Sequence, residues 1–158
     1  MPKFFAIVFF SLISGSFTGS SCATEAIRTF TPTSFSQIKA THAGKPFVVV
    51  VWSLDCAYCA ESLAALAQVQ RKRKMTVVSI ATDRVDSDKT RDLMNHKLAE
   101  AGLGSEKWAF GPAPLEQLRY SIDRNWRGEM PRTYWFNTKG KSTSYSGVVT
   151  VKLAEKFL

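Results

Sequence analysis

Residues 47 to 52 read Phe-Val-Val-Val-Val-Trp, a run of β-branched and aromatic side chains with no polar alternation. A strand that shows one face to water alternates. This one does not, so both of its faces must be covered, as in the centre of an α/β sheet. From Ala57 to Gln70 the residues change to helix formers, with Leu63, Leu66 and Val69 returning every three or four positions. Arg71-Lys72-Arg73-Lys74 closes that stretch with the cations a helix C-terminus favours; a solvated helix end is the plain reading of the run, and a phosphate or lipid contact is its rival. Met75 to Ile80 is a second strand of the buried type, and Asp88 to Ala101 repeats helical spacing through Leu93, Met94, Leu98 and Ala101. The βαβα order predicts parallel strands joined by a right-handed crossover.

The flanks complete one domain. Ser34 can cap a short helix with Phe35 and Ile38 on one face, ended by Gly44-Lys45-Pro46. Leu115, Leu118 and Ile122 mark another helix, and Thr133 to Phe136 and Ser142 to Tyr145 flank Asn137-Thr138-Lys139-Gly140 as a hairpin. A last helix is expected over residues 150–158, with Leu153, Ala154 and Phe157 inward. With 158 residues, 45% of them hydrophobic, the chain can bury one core and not two. The net charge of +8 comes with no aromatic-interleaved basic patch, so it reads as solubility, and no nucleic acid partner is expected.

Lys3, the apolar stretch Phe4 to Ile13 and the small polar residues up to Ser21 have the order of a secretory signal peptide. Ser21-Cys22-Ala23 predicts cleavage after Ala23, giving a signal over residues 1–23 and a domain over residues 24–158. Lipoprotein processing at Cys22, leaving a lipid anchor there, is the rival, although Gly19 replaces the large aliphatic residue that its recognition box prefers. Either route exports the chain to the periplasm, where two nearby cysteines can form a disulfide.

Cys56-Ala57-Tyr58-Cys59 stands where the buried strand gives way to the helix. Unpaired N–H groups at a helix start favour a thiolate, so Cys56 is expected to be the nucleophile and Cys59, further in, the shielded resolving thiol. Such a pair exchanges disulfides through a mixed-disulfide intermediate. A purely structural disulfide, or a zinc or copper site drawing on Cys56, Cys59, His42 and His96, uses the same atoms and stays open at this point.

Gly44 to Leu63 resembles the active-site strand and helix of thioredoxin-fold proteins, most of all the exported TlpA/ResA-like thiol–disulfide oxidoreductases. Val77 to Asp83 is similar to that family's next strand, Glu129 to Phe136 with Gly140 to its proline-bearing segment, and Gly147 to the glycine before the last helix. The resemblance implies a three-layer α/β sandwich, a central mixed sheet with helices on both faces. It also implies a cis Met130-Pro131 bond beside the sulfurs, with Pro131 part of the catalytic machinery and Met130, Trp52 and Tyr58 contacting substrate. No cofactor is expected. The implied partners are a protein carrying a disulfide or thiols and a membrane or periplasmic electron donor, with reduction favoured over oxidation. The chain departs from the pattern at Asp55, whose carboxylate beside Cys56 should oppose thiolate formation, and at Val50, where classical thioredoxins bury an aspartate. Ser62 stands where relatives often carry glutamate, and Glu61 lies about 100° around the helix from it.

Overall fold

The structure, a computed structural model, describes residues 26–104 and 106–158. The expected signal peptide over residues 1–23 and Cys22 lie outside the described residues. In chain order the elements are β1 (Arg28–Phe30), α1 (Ser34–Thr41), β2 (Phe47–Trp52), α2 (Cys59–Arg73), β3 (Thr76–Ala81), α3 (Asp88–Ala101), β4 (Lys107–Phe110), α4 (Leu115–Ile122), β5 (Arg132–Phe136), β6 (Ser142–Ser146) and α5 (Val151–Ala154).

The strands form one mixed sheet in the order β1-β4-β3-β2-β5-β6. β2 runs parallel to β3, β3 to β4 and β4 to β1, while β5 and β6 are antiparallel additions on the other side of β2. All six residues of β2 are buried, as its unbroken apolar run requires. Alternate side chains enter opposite cores. Val48, Val50 and Trp52 pack in one core with Leu63 and Leu66 of α2, Met94 and Leu98 of α3, and Ala154 of α5. Phe47, Val49 and Val51 pack in the other with Phe35 and Ile38 of α1 and with Leu118 and Ile122 of α4. The expected three-layer α/β sandwich is therefore present.

Three local expectations need correction. α2 begins at Cys59 rather than Ala57, because residues 57 and 58 are still in a turn. α5 ends at Ala154, and residues 155–156 turn out of it, so the closing helix is shorter than its apolar spacing suggested. β1 and β4 were not expected. With three and four residues they are too short to show a period, and they exist by pairing with each other and with β3.

On the α1–α4 side, Arg132 donates to Asp123 at 2.9 Å and, through Nε, to the Tyr134 hydroxyl at 3.3 Å. The Tyr134 phenol is pushed up to about 12, chiefly because burial disfavours the phenolate. A phenol that holds its proton more tightly when folded contributes stability below its ordinary value of about 10, and loses that contribution as pH rises through the folded value. Ultraviolet titration is therefore expected to show one of the four tyrosines ionising after the rest, with stability falling between pH 10.0 and about 12. Four coincident ionisations would contradict the burial of Tyr134.

Candidate functional site

β2 ends at Trp52, and the chain turns through residues 53–58 before α2 begins. Two backbone bonds shape the turn, Cys56 N–H to the Ser53 carbonyl at 3.3 Å and Cys59 N–H to the Cys56 carbonyl at 3.1 Å. Cys56 and Cys59 are joined as a disulfide, with Cα atoms 5.4 Å apart. Their environments differ. Cys56 is half-buried, whereas Cys59 is 1% exposed and packs in the same core as Trp52 and Leu63. Among the described residues no group of three or more histidine, cysteine, aspartate or glutamate side chains could hold a metal ion. His42 bonds Glu106 at 2.7 Å, and His96 lies 3.2 Å from Glu100 on α3, so the two histidines considered as ligands are engaged elsewhere.

The neighbouring strands hold this turn in place. Thr82 N–H donates to the Trp52 carbonyl at 2.9 Å, and the Asp83 carboxylate accepts the Leu54 N–H at 2.9 Å. Asp83 therefore clamps the turn between Trp52 and Cys56 to the end of β3. This role of Asp83 is not legible in the sequence, since a lone aspartate after a strand has no distinctive spacing.

Met130-Pro131 is a cis peptide. Val51 pairs with Arg132, so Pro131, one residue earlier on an antiparallel strand, comes level with Trp52 at the end of β2 that leads to the cysteines. Bonds from three sides fix the segment. The Trp126 indole N–H donates to the Glu129 carbonyl at 2.9 Å, the Thr82 hydroxyl to the Met130 sulfur at 3.7 Å, and the Gly147 N–H to the Pro131 carbonyl at 2.9 Å. Gly147 has φ of 115°, a conformation that favours glycine. A cavity of about 130 Å³ opens beside Met130, lined by Thr82, Leu115, Arg119, Trp126 and Gly128.

The remaining expected site residues divide by exposure. Tyr58 is 68% exposed, and Asp55 and Glu61 also face solvent. Ser62 and Val50 are fully buried. The Ser62 hydroxyl accepts the Val149 N–H at 2.9 Å, tying α2 to the chain just after Gly147. Ser62→Ala would leave that N–H buried and unpaired, an expected loss of about 1–3 kcal/mol in urea unfolding; no change would mean that Val149 finds another acceptor.

No protein-family model matches the chain, and no curated protein matches it. Solved structures do. A secreted disulfide oxidoreductase of Mycobacterium tuberculosis, described as homologous to E. coli DsbE, superposes with a TM-score of 0.58 at 20% identity over 75% of this chain and 83% of that one. A thiol:disulfide interchange protein of the thioredoxin family from Chlorobium tepidum gives 0.58 at 18% identity, over 75% and 81%. A DsbF homologue from Corynebacterium diphtheriae gives 0.56 at 19% identity, over 75% and 73%. At such identities the likeness establishes architecture, and together with the strand order and the Cys56–Cys59 pair it shows that this chain has a thioredoxin-like fold.

Proposed function

We propose that the protein is an exported thiol–disulfide oxidoreductase that reduces disulfides in protein substrates. The observation that carries this reading is the asymmetric pair, a half-buried Cys56 and a buried Cys59 beside Met130-Pro131 at one end of the sheet. In the reduced protein the Cys56 thiolate attacks one sulfur of a substrate disulfide, forming a mixed disulfide and releasing the other sulfur as a thiolate. The Cys59 thiolate then attacks the Cys56 sulfur, releasing the second substrate thiolate and leaving the protein oxidised. An electron donor in the membrane or periplasm returns two electrons and two protons. Pro131 and Met130 align an extended substrate segment, Trp52 supports the turn from below, and exposed Tyr58 touches the incoming chain. The cavity beside Met130 offers room for a substrate side chain. Asp55 and Glu61 modulate proton exchange from the solvent side. The direction rests on the TlpA/ResA-like resemblance, and the solved relatives named as secreted or as interchange proteins support export and exchange.

Cys59→Ser tests the proposal. This variant can attack and cannot resolve, so it should accumulate disulfide-linked partners through Cys56 that dissociate on reduction and are absent from the Cys56→Ser, Cys59→Ser double variant. Equal yields from the two would refute it. Before any substrate is added, Cys56 of the reduced protein is expected to react first with iodoacetamide, as read by peptide mapping, because Cys59 is enclosed by the core.

A further inference from the structure

We propose that the end of the molecule opposite the disulfide is a docking surface for an anionic phospholipid bilayer. In the sequence Arg71 to Lys74 admits a phosphate or lipid contact, with a solvated helix end as the plainer reading. The fold adds further cations to it. β2 begins at Phe47 between Thr76 of β3 and Phe136 of β5, so the turns before β2, before β3 and after β5 share one end of the sheet. Exposed Lys39 and Lys45 flank the first of these turns, Arg71 to Lys74 form the second, and exposed Lys139 and Lys141 lie on the third. α5 reaches the same end, because Glu155 bonds Lys72 at 2.7 Å and lies 3.9 Å from Arg73, and it brings exposed Lys152 and Lys156 with it.

Few carboxylates offset this end: Glu155 is taken up by Lys72, Glu106 is held by His42, and Glu100 lies 3.2 Å from His96. At the disulfide end Asp55, Asp83, Asp86, Asp88, Glu116 and Glu129 are matched by Arg84, Lys89, Arg91, Arg119 and Arg127 in the same turns and helices, so the excess of positive charge lies at the other end of β2. Clustered cations on one side of a folded domain are attracted to anionic headgroups within about a Debye length, roughly 8 Å at physiological salt. A bilayer fits better than a compact anion, because the cations come from four separate segments and converge on no single point.

The test uses the full chain with extruded vesicles of phosphatidylcholine alone and of phosphatidylcholine with 30% phosphatidylglycerol, read by co-sedimentation. The increment due to phosphatidylglycerol is the readout, since the apolar run Phe4 to Ile13 can enter either vesicle. The expected result is an increment of about tenfold or more in partitioning that disappears at high salt. It should also disappear in the variant Arg73→Gln, Lys74→Gln, Lys152→Gln, Lys156→Gln, with thermal unfolding confirming that the variant is folded. On the vesicle, the Cys56–Cys59 disulfide should be reduced by a water-soluble phosphine as fast as in solution. An increment that survives in the variant, one that millimolar inorganic phosphate abolishes at constant ionic strength, or a disulfide shielded by the vesicle would each overturn the proposal. None of these readouts depends on the direction of thiol exchange.

Discussion

Cys56→Ser is expected to abolish reduction of protein disulfides, by on the order of a thousandfold or more, because no other group at the site can become the nucleophile. Cys59 survives in that variant and does not rescue it. It is 1% exposed, opens α2 beneath the turn and packs in the same core as Trp52 and Leu63, so a substrate sulfur does not reach it. The substitution exchanges one atom at a half-buried position, so thermal unfolding of the reduced variant should stay close to that of the reduced parent. Loss of activity at unchanged stability of the reduced forms assigns the effect to chemistry. Substantial activity in Cys56→Ser would mean that the buried cysteine attacks and that the roles are reversed.

Leu66→Ala is expected to cost about 2–5 kcal/mol, the range for deleting a fully buried leucine from a close-packed core. Leu66 is 0% exposed and sits two turns into α2, on the side that packs over Val48 and Val50 of β2. Native domains are stable by about 5–15 kcal/mol, so this one change removes a large share and also loosens the helix that carries Cys59. Urea unfolding of reduced parent and variant measures the difference without the disulfide in the balance. A loss of under about 1 kcal/mol would indicate that α2 does not pack on the sheet as described.

The elements that the sequence shows well are those whose local pattern and tertiary role coincide. β2 is buried on both faces and is apolar throughout, and α3 spans the residues its spacing indicates, with the Ser87 hydroxyl accepting the Thr90 N–H at its start. The β5–β6 hairpin follows from the Asn137 to Gly140 turn, where Asn137 accepts from the Lys139 and Lys141 N–H groups. The elements that escape it owe their form to partners distant in sequence. β1 is three residues that become a strand by pairing with β4, and the residues after Ala154 carry helical spacing but turn out of the helix.

The site divides the same way. Cys56, Cys59 and Pro131 stand out through spacing and resemblance, and the structure brings them to one end of the sheet. The roles of Asp83, Thr82 and Ser62 are visible only once the strands are paired, because the side chain of each bonds a residue far along the chain. The excess of positive charge at one end is hidden for the same reason, since its cations come from segments that only the topology brings together.

The central claim is that the Cys56–Cys59 pair passes electrons to protein disulfides, and a stoichiometric exchange measures this directly. The protein is reduced, freed of reductant without oxygen, mixed with excess insulin as a protein disulfide, and followed by thiol alkylation and intact mass. The account predicts that each chain loses the two thiols of Cys56 and Cys59 as one insulin disulfide opens, and that the Cys56→Ser, Cys59→Ser variant transfers nothing. A reduced protein that keeps both thiols in the presence of insulin, or a Cys56–Cys59 disulfide that no thiol reductant opens in the folded state, would contradict it.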